Sequence, residues 1–193
     1  MAMMITDTDS YITSVRPEDR FVFDTNVWIS ILCPVGKPND WRTRKYGSFL
    51  NSIFKSGCDI YTTSYILSEY VNRVLRLSYS FHPSSSLSGT DNFKKVYRIS
   101  SEYKKDYADI VVQINKIMGF CQKLDDKFTS LDVASIMKRG EETDFTDSLL
   151  LHNVQVLNSD FKVVTDDTDY LKFCGDINII TANRKLVSQA LTL

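Results

Sequence analysis

The 193-residue chain is 43% hydrophobic and 24% charged, ordinary usage that excludes a disordered or fibrous protein and suits one domain with a buried core. Its formal net charge of −1 excludes a uniformly basic nucleic-acid binder, so any such role must rest on local clusters. Four cysteines without a C-x-x-C pair and two histidines argue against a zinc site and for a reduced, cytoplasmic protein.

In chain order, residues 1–19 carry Asp7, Asp9, Glu18 and Asp19 and no long apolar run, and read as a leader rather than a signal peptide or membrane span. Arg20-Phe21-Val22-Phe23 predicts a buried strand ending at Asp24. A helix begins near Asn26 and is broken by Pro34, Gly36 and Pro38. Another fits residues 40–55, with Gly57 as its stop signal. Asp59-Ile60-Tyr61-Thr62 predicts a second strand, and residues 64–77 an amphipathic helix.

The Ser-rich stretch 78–90 reads as a loop, followed by one long helix over residues 91–122. Short helices are expected over 130–139 and 143–157, strands over 161–165 and 177–181, and a closing helix. Strands alternating with helices predict an α/β fold with a mainly parallel central sheet.

Acidic residues stand where such folds bind ligands, beyond the carboxyl ends of strands. Asp24 follows the first predicted strand; Asp166 and Asp167 follow Val163-Val164-Thr165. Glu69 flanks the apolar stripe of Ile66, Leu67, Tyr70, Val71 and Val74, one turn before Arg73, and an i,i+4 surface pair explains it equally. Asp147 shares a helical face with Leu150, Leu151 and Val154, so it is expected to be buried, although it also stands where first-turn acids compensate a helix dipole. Asp144 suits a helix cap. Asp166, Asp167 and Asp169 crowd one turn, which reads either as a solvated cap or as a cation site.

Together these blocks resemble the PIN-domain family, including its VapC-like ribonucleases. Phe21-Val22-Phe23-Asp24-Thr25-Asn26 is similar to the family's opening strand and Asp-Thr-Asn/Ser signature. Thr63-Ser64-Tyr65-Ile66-Leu67-Ser68-Glu69-Tyr70, with Val74, Leu75 and Arg76 after it, is similar to the segment carrying the second acid. Asp144-Phe145-Thr146-Asp147 opens an apolar helix as the third block does, and Thr165-Asp166-Asp167-Thr168-Asp169 resembles the closing Thr-x-Asp-x-Asp motif. The blocks occur in the family's order over about residues 20–181. Two departures stand out: Asp166 replaces the Gly or Arg common there, and His152-Asn153 replaces small residues. The segment 78–120 also exceeds that of compact toxin members.

The resemblance implies a three-layer α/β/α PIN-like fold over residues 20–193, with a loop and long helical insertion at about 78–120. It implies acids Asp24, Glu69, Asp147 and Asp167, with Asp144 and Asp169 as further metal candidates and Asn26 as an orienting residue. Clustered carboxylates call for a cation, and hard oxygen donors favour Mg²⁺ or Mn²⁺. The implied activity is endoribonuclease cleavage of RNA, with toxin-type membership, an antitoxin-like inhibitor protein and a homodimer as partner expectations and no membrane. The alternative is a catalytically inactive RNA-binding or scaffold module. Arg42, Arg44 and Lys45, near Trp41, and Arg73 and Arg76 beside Glu69 are the expected RNA contacts. A second basic group is Lys94, Lys95, Arg98, Lys104 and Lys105.

Overall fold

The computed structural model describes residues 5–33, 40–82, 92–141, 143–156, 161–173 and 177–190. Pro34, Gly36, Pro38, Cys174 and most of the Ser-rich stretch lie outside the described residues. Six strands form one sheet: β1 (Ile5–Asp7), β2 (Arg20–Phe23), β3 (Asp59–Thr62), β4 (Gln122–Lys123), β5 (Phe161–Val164) and β6 (Asn178–Thr181). Their order is β1-β6-β5-β2-β3-β4, and every pair is parallel. Parallel sheets are covered on both faces. Accordingly Phe21, Val22 and Phe23 are all fully buried although successive side chains point to opposite faces.

The covering helices are α1 (Thr8–Ile12), α2 (Thr25–Leu32), α3 (Trp41–Lys55), α4 (Ser64–Ser80), α5 (Asn92–Lys95), α6 (Ser101–Phe120), α7 (Val133–Arg139), α8 (Phe145–Val156) and α9 (Arg184–Ala190). They give three layers, α/β/α, as the alternation predicts. An aromatic group anchors one layer: Phe49 of α3 lies edge-on to Phe21 at 5.7 Å and stacks with Phe23 at 6.3 Å between centroids. Registers align the carboxyl ends of the central strands, with Phe23 opposite Val164 and Val164 opposite Ile180.

Two expectations are corrected. Residues 5–12 are no leader: β1 pairs with β6 at the sheet edge, and Tyr11 of α1 lies edge-on to Phe21 and Phe49, both at 6.2 Å. Asp19 is buried, accepting hydrogen bonds from Tyr11 (2.8 Å) and Lys162 (2.8 Å). A three-residue strand carries too little periodicity to be seen in sequence.

The long helix expected over 91–122 is broken at Ser100, whose backbone is extended (φ −80°, ψ 164°) and whose hydroxyl caps α6 by accepting from Tyr103 N at 3.1 Å. The break lets Tyr97 bury itself among Tyr79, Phe93, His82 and Tyr103. The residues after α6 add β4 beside β3, an edge strand too short for its sequence to announce. Among the described residues no helix is long and apolar enough to cross a membrane.

Candidate active site

The strand order reverses between β2 and β5: β3 and β4 lie to one side, β6 and β1 to the other. Such a switch point opens a crevice beyond the strand ends. Asp24 leaves β2 there as the N-cap of α2, 4% exposed, with Oδ1 accepting from Thr25 N at 2.6 Å. Its Oδ2 accepts from Asn26 Nδ2 (2.6 Å) and from Oγ1 of Thr165 (2.7 Å), the residue directly after β5. Thr165 Oγ1 also accepts from Asn26 Nδ2 (3.2 Å) and Asp167 N (3.0 Å). One buried hydroxyl thus ties the two strand ends together.

The other acids come from the flanking helices. Glu69 of α4 accepts from Thr25 Oγ1 at 2.8 Å through Oε2 and from Arg73 Nη1 at 3.0 Å through Oε1. The i,i+4 pair is therefore present, and Glu69 also reaches the α2 N-terminus. Asp147 of α8 is buried, as its helical face requires. Tyr170 donates to its Oδ1 (2.9 Å) and Thr143 to its Oδ2 (3.2 Å). The last turn splits its acids. Asp166 Oδ2 is gripped by Arg42 Nε (2.7 Å) and its Oδ1 accepts from Tyr46 (2.9 Å). Asp167 faces the cluster, and its Oδ1 accepts from Asp169 N at 2.9 Å.

Electrostatics register the convergence. Burial, reinforced by the charges of Glu69 and Asp167, pushes the Asp24 carboxyl up to about 7 against the hydrogen bonds that favour its ionised form. Burial and the charges of Asp24, Asp144 and Asp167 push Asp147 up to about 8. Burial, then the charges of Asp24 and Asp147, raise the Tyr170 phenol well above its ordinary value, so it stays a donor. Asp24 therefore lies within electrostatic reach of Glu69, Asp147 and Asp167, and Asp147 within reach of Asp167. Among the described residues, no three His, Cys, Asp or Glu side chains already stand close enough to enclose an ion.

The remaining sequence-predicted residues are distributed around this centre. Asp144 is exposed and caps α8, its Oδ1 accepting from Asp147 N at 2.9 Å. Asp169 is exposed and pairs with Lys172 at 3.7 Å. Arg42 is bound to Asp166, Lys45 to Asp9, and Arg73 to Glu69, while Arg76 lies over the Phe93 ring at 5.6 Å and Arg44 is exposed. Thr25, Thr165, Thr143 and Tyr170 were not singled out from sequence. The available signal was Tyr170, since a tyrosine following an acidic turn and fully buried needs a partner for its hydroxyl.

A cleft of about 780 Å³ adjoins the acids. Asn26 and Asp167 form its inner end, and Asp7 and Asp9 line it beyond β6. Trp41 and Arg42 of α3 line it together with Arg184 and Lys185 of α9.

This parallel sheet, sandwiched between helices and carrying an acid at its switch point, is a three-layer PIN-like fold. A chain of the crystal structure of VapBC2 from Rickettsia felis, bound to a DNA fragment from its promoter, is similar to it, with a TM-score of 0.51 and 12% identity over 84% of this chain and 98% of that one. At that identity the likeness speaks for the fold. No family model matches the chain, and no curated protein matches it.

Proposed function

We propose that this chain is a metal-dependent endoribonuclease that hydrolyses RNA phosphodiester bonds at the Asp24–Glu69–Asp147–Asp167 cluster. The observation that supports the reading is that two of these carboxylates, Asp24 at the switch point and Asp147 of α8, are buried and raised to about 7 and 8 by burial and by neighbouring acids, Glu69 and Asp167 among them. Such a cluster is electrostatically incomplete without positive charge, and its all-oxygen donors suit Mg²⁺ or Mn²⁺. Asp24 and Asp147 would hold the ion, with Glu69 and Asp167 beside them. Asp144 and Asp169 stand at the exposed rim. When bound, the cation supplies a lowered pKa for water and polarisation of the phosphate.

The chain's own residues supply preorganisation. Asn26 and Thr165 fix Asp24, Thr25 joins Glu69 to the same turn, and Tyr170 and Thr143 hold Asp147. The motif resemblance and the fold likeness support a toxin-type member working in the cytoplasm, with RNA as substrate, an antitoxin-like protein as inhibitor and a homodimer as its assembly.

Two observations favour the second reading, an inactive RNA-binding or scaffold module: Glu69 already carries an arginine partner, and among the described residues no three acids stand close enough to enclose an ion. The deciding experiment incubates pure protein with assorted RNAs with and without Mn²⁺, beside Asp24→Asn, and titrates Mn²⁺ by calorimetry. Mn²⁺ binding and cleavage that falls to background in a folded Asp24→Asn variant are expected. Full activity in that variant rejects the assignment, and a protein that binds RNA but no Mn²⁺ is a module.

A further inference from the structure

We propose that the cleft beside the acids is a single-stranded RNA subsite, in which an unpaired base stacks on Trp41 and the flanking phosphate meets Arg184 and Lys185. The inference rests on the nuclease reading for its substrate, but its geometry is independent of the carboxylates. The cleft runs along the carboxyl edge of the sheet, from Asn26 and Asp167 beside β2 and β5, past β6, to Asp7 at the end of β1. Its volume of about 780 Å³ lies within the range of specific small-ligand pockets.

Trp41 is 40% exposed, a large apolar ring left open on the wall of a cleft. It is also held in place. The Arg42 guanidinium lies 4.7 Å from the ring centroid and is itself anchored by Asp166 at 2.7 Å and Asp40 at 3.6 Å. A cation clamped against an indole makes a rigid platform for a base, and stacking is indifferent to base identity because every base has a π-face. Duplex RNA keeps its bases stacked on each other, so such a platform selects unpaired strands.

Arg184 and Lys185, in the same lining, are exposed and form no ion pair with any described carboxylate. Arg42 and Lys45 are already neutralised by Asp166 and Asp9. The uncommitted positive charge on the wall therefore belongs to α9 rather than to the α3 cluster that the sequence brings to notice, and it balances Asp7 and Asp167 of the same lining. A strand in the cleft would share one lining with these two cations, the indole and Asp167.

Trp28 is fully buried and Trp41 exposed, and these are the chain's two tryptophans, so fluorescence quenching reports on Trp41 directly. The experiment titrates the protein, in EDTA where no cation-dependent cutting occurs, into a short dye-labelled mixed-sequence single-stranded oligoribonucleotide and the same sequence as a duplex, reading affinity for every variant from the dye's anisotropy and, in the parent alone, Trp41 quenching. Quenching by the single strand, about tenfold weaker binding in Trp41→Ala, near-parent binding in Trp41→Phe, and a salt slope reduced by about one in the Arg184→Ala/Lys185→Ala double variant are expected. Absence of quenching, equal affinity in Trp41→Ala, or equal binding of duplex overturns the proposal. Because the readout is binding without metal, the two readings fail separately. A strand that quenches Trp41 but is never cut with Mn²⁺ sinks the nuclease and leaves the subsite standing. Cutting with unchanged KM in Trp41→Ala does the reverse.

Discussion

Two carboxylates decide the chemistry at the residue scale. Asp24 and Asp147 are raised from 3.8 to about 7 and about 8, chiefly by burial and then by neighbouring acids. Between about pH 4 and pH 8 the folded protein therefore holds protons that the unfolded chain has released. That contribution to stability is complete below about pH 4 and is lost as pH rises through about 7 and 8. In EDTA the free energy of unfolding is expected to fall across this window by an amount on the order of several kcal/mol, read as a lower urea midpoint. Asp147→Asn should flatten the upper part of the fall, and Mn²⁺ at pH 8 should restore stability to the parent. A midpoint that rises steadily from pH 4 to pH 8 in EDTA contradicts the burial of these two groups.

At the element scale, each acid is presented by a terminus or face that its local sequence specifies. Asp24 serves both as the end of β2 and as the cap of α2, so the strand-to-helix turn itself aims it into the crevice. Asp144 has a simpler task, since its side chain satisfies the first turn of α8. Asp144→Ser keeps an acceptor and removes the charge. It is expected to stay within about 0.5 kcal/mol of the parent in urea unfolding and to retain Mn²⁺ binding, whereas Asp144→Ala loses about 1 kcal/mol. Loss of Mn²⁺ binding in Asp144→Ser would instead make Asp144 a ligand. The predicted helix over 91–122 failed at this scale for a physical reason: helical periodicity continues through Ser100, but burying Tyr97 against α4 favours a break that a serine can cap.

For the whole molecule, the N-terminal residues matter more than their composition suggests. β1 covers the edge of β6, and Tyr11 both packs on Phe21 and Phe49 and donates to buried Asp19. Removing residues 1–12 should bare an unpaired strand edge and lower stability by several kcal/mol, with aggregation during refolding. A disposable leader would leave the urea midpoint where it was. Much of the fold and candidate site was legible nonetheless. The strand runs before Asp24 and Asp166, and the helical angle of Asp147, are local patterns, and they located the acids that the sheet brings together. Thr25 and Thr165 stand in the matched motifs without their roles being legible there, and Thr143 carries no signal, because a threonine's role appears only once its partner is known.

Sequence alone determined the α/β alternation and the strand-end positions of the acids, since periodicity and apolar runs act over a few neighbouring residues. Tertiary structure decided which acid of the last turn serves which neighbour. Asp166 binds Arg42 and Tyr46 while Asp167 adds its charge to Asp24, because each meets a partner more than 100 residues distant in the chain. The same long-range assembly set Trp41 against Arg184 and Lys185 around one cleft, a juxtaposition that only the order of strands in the sheet could create.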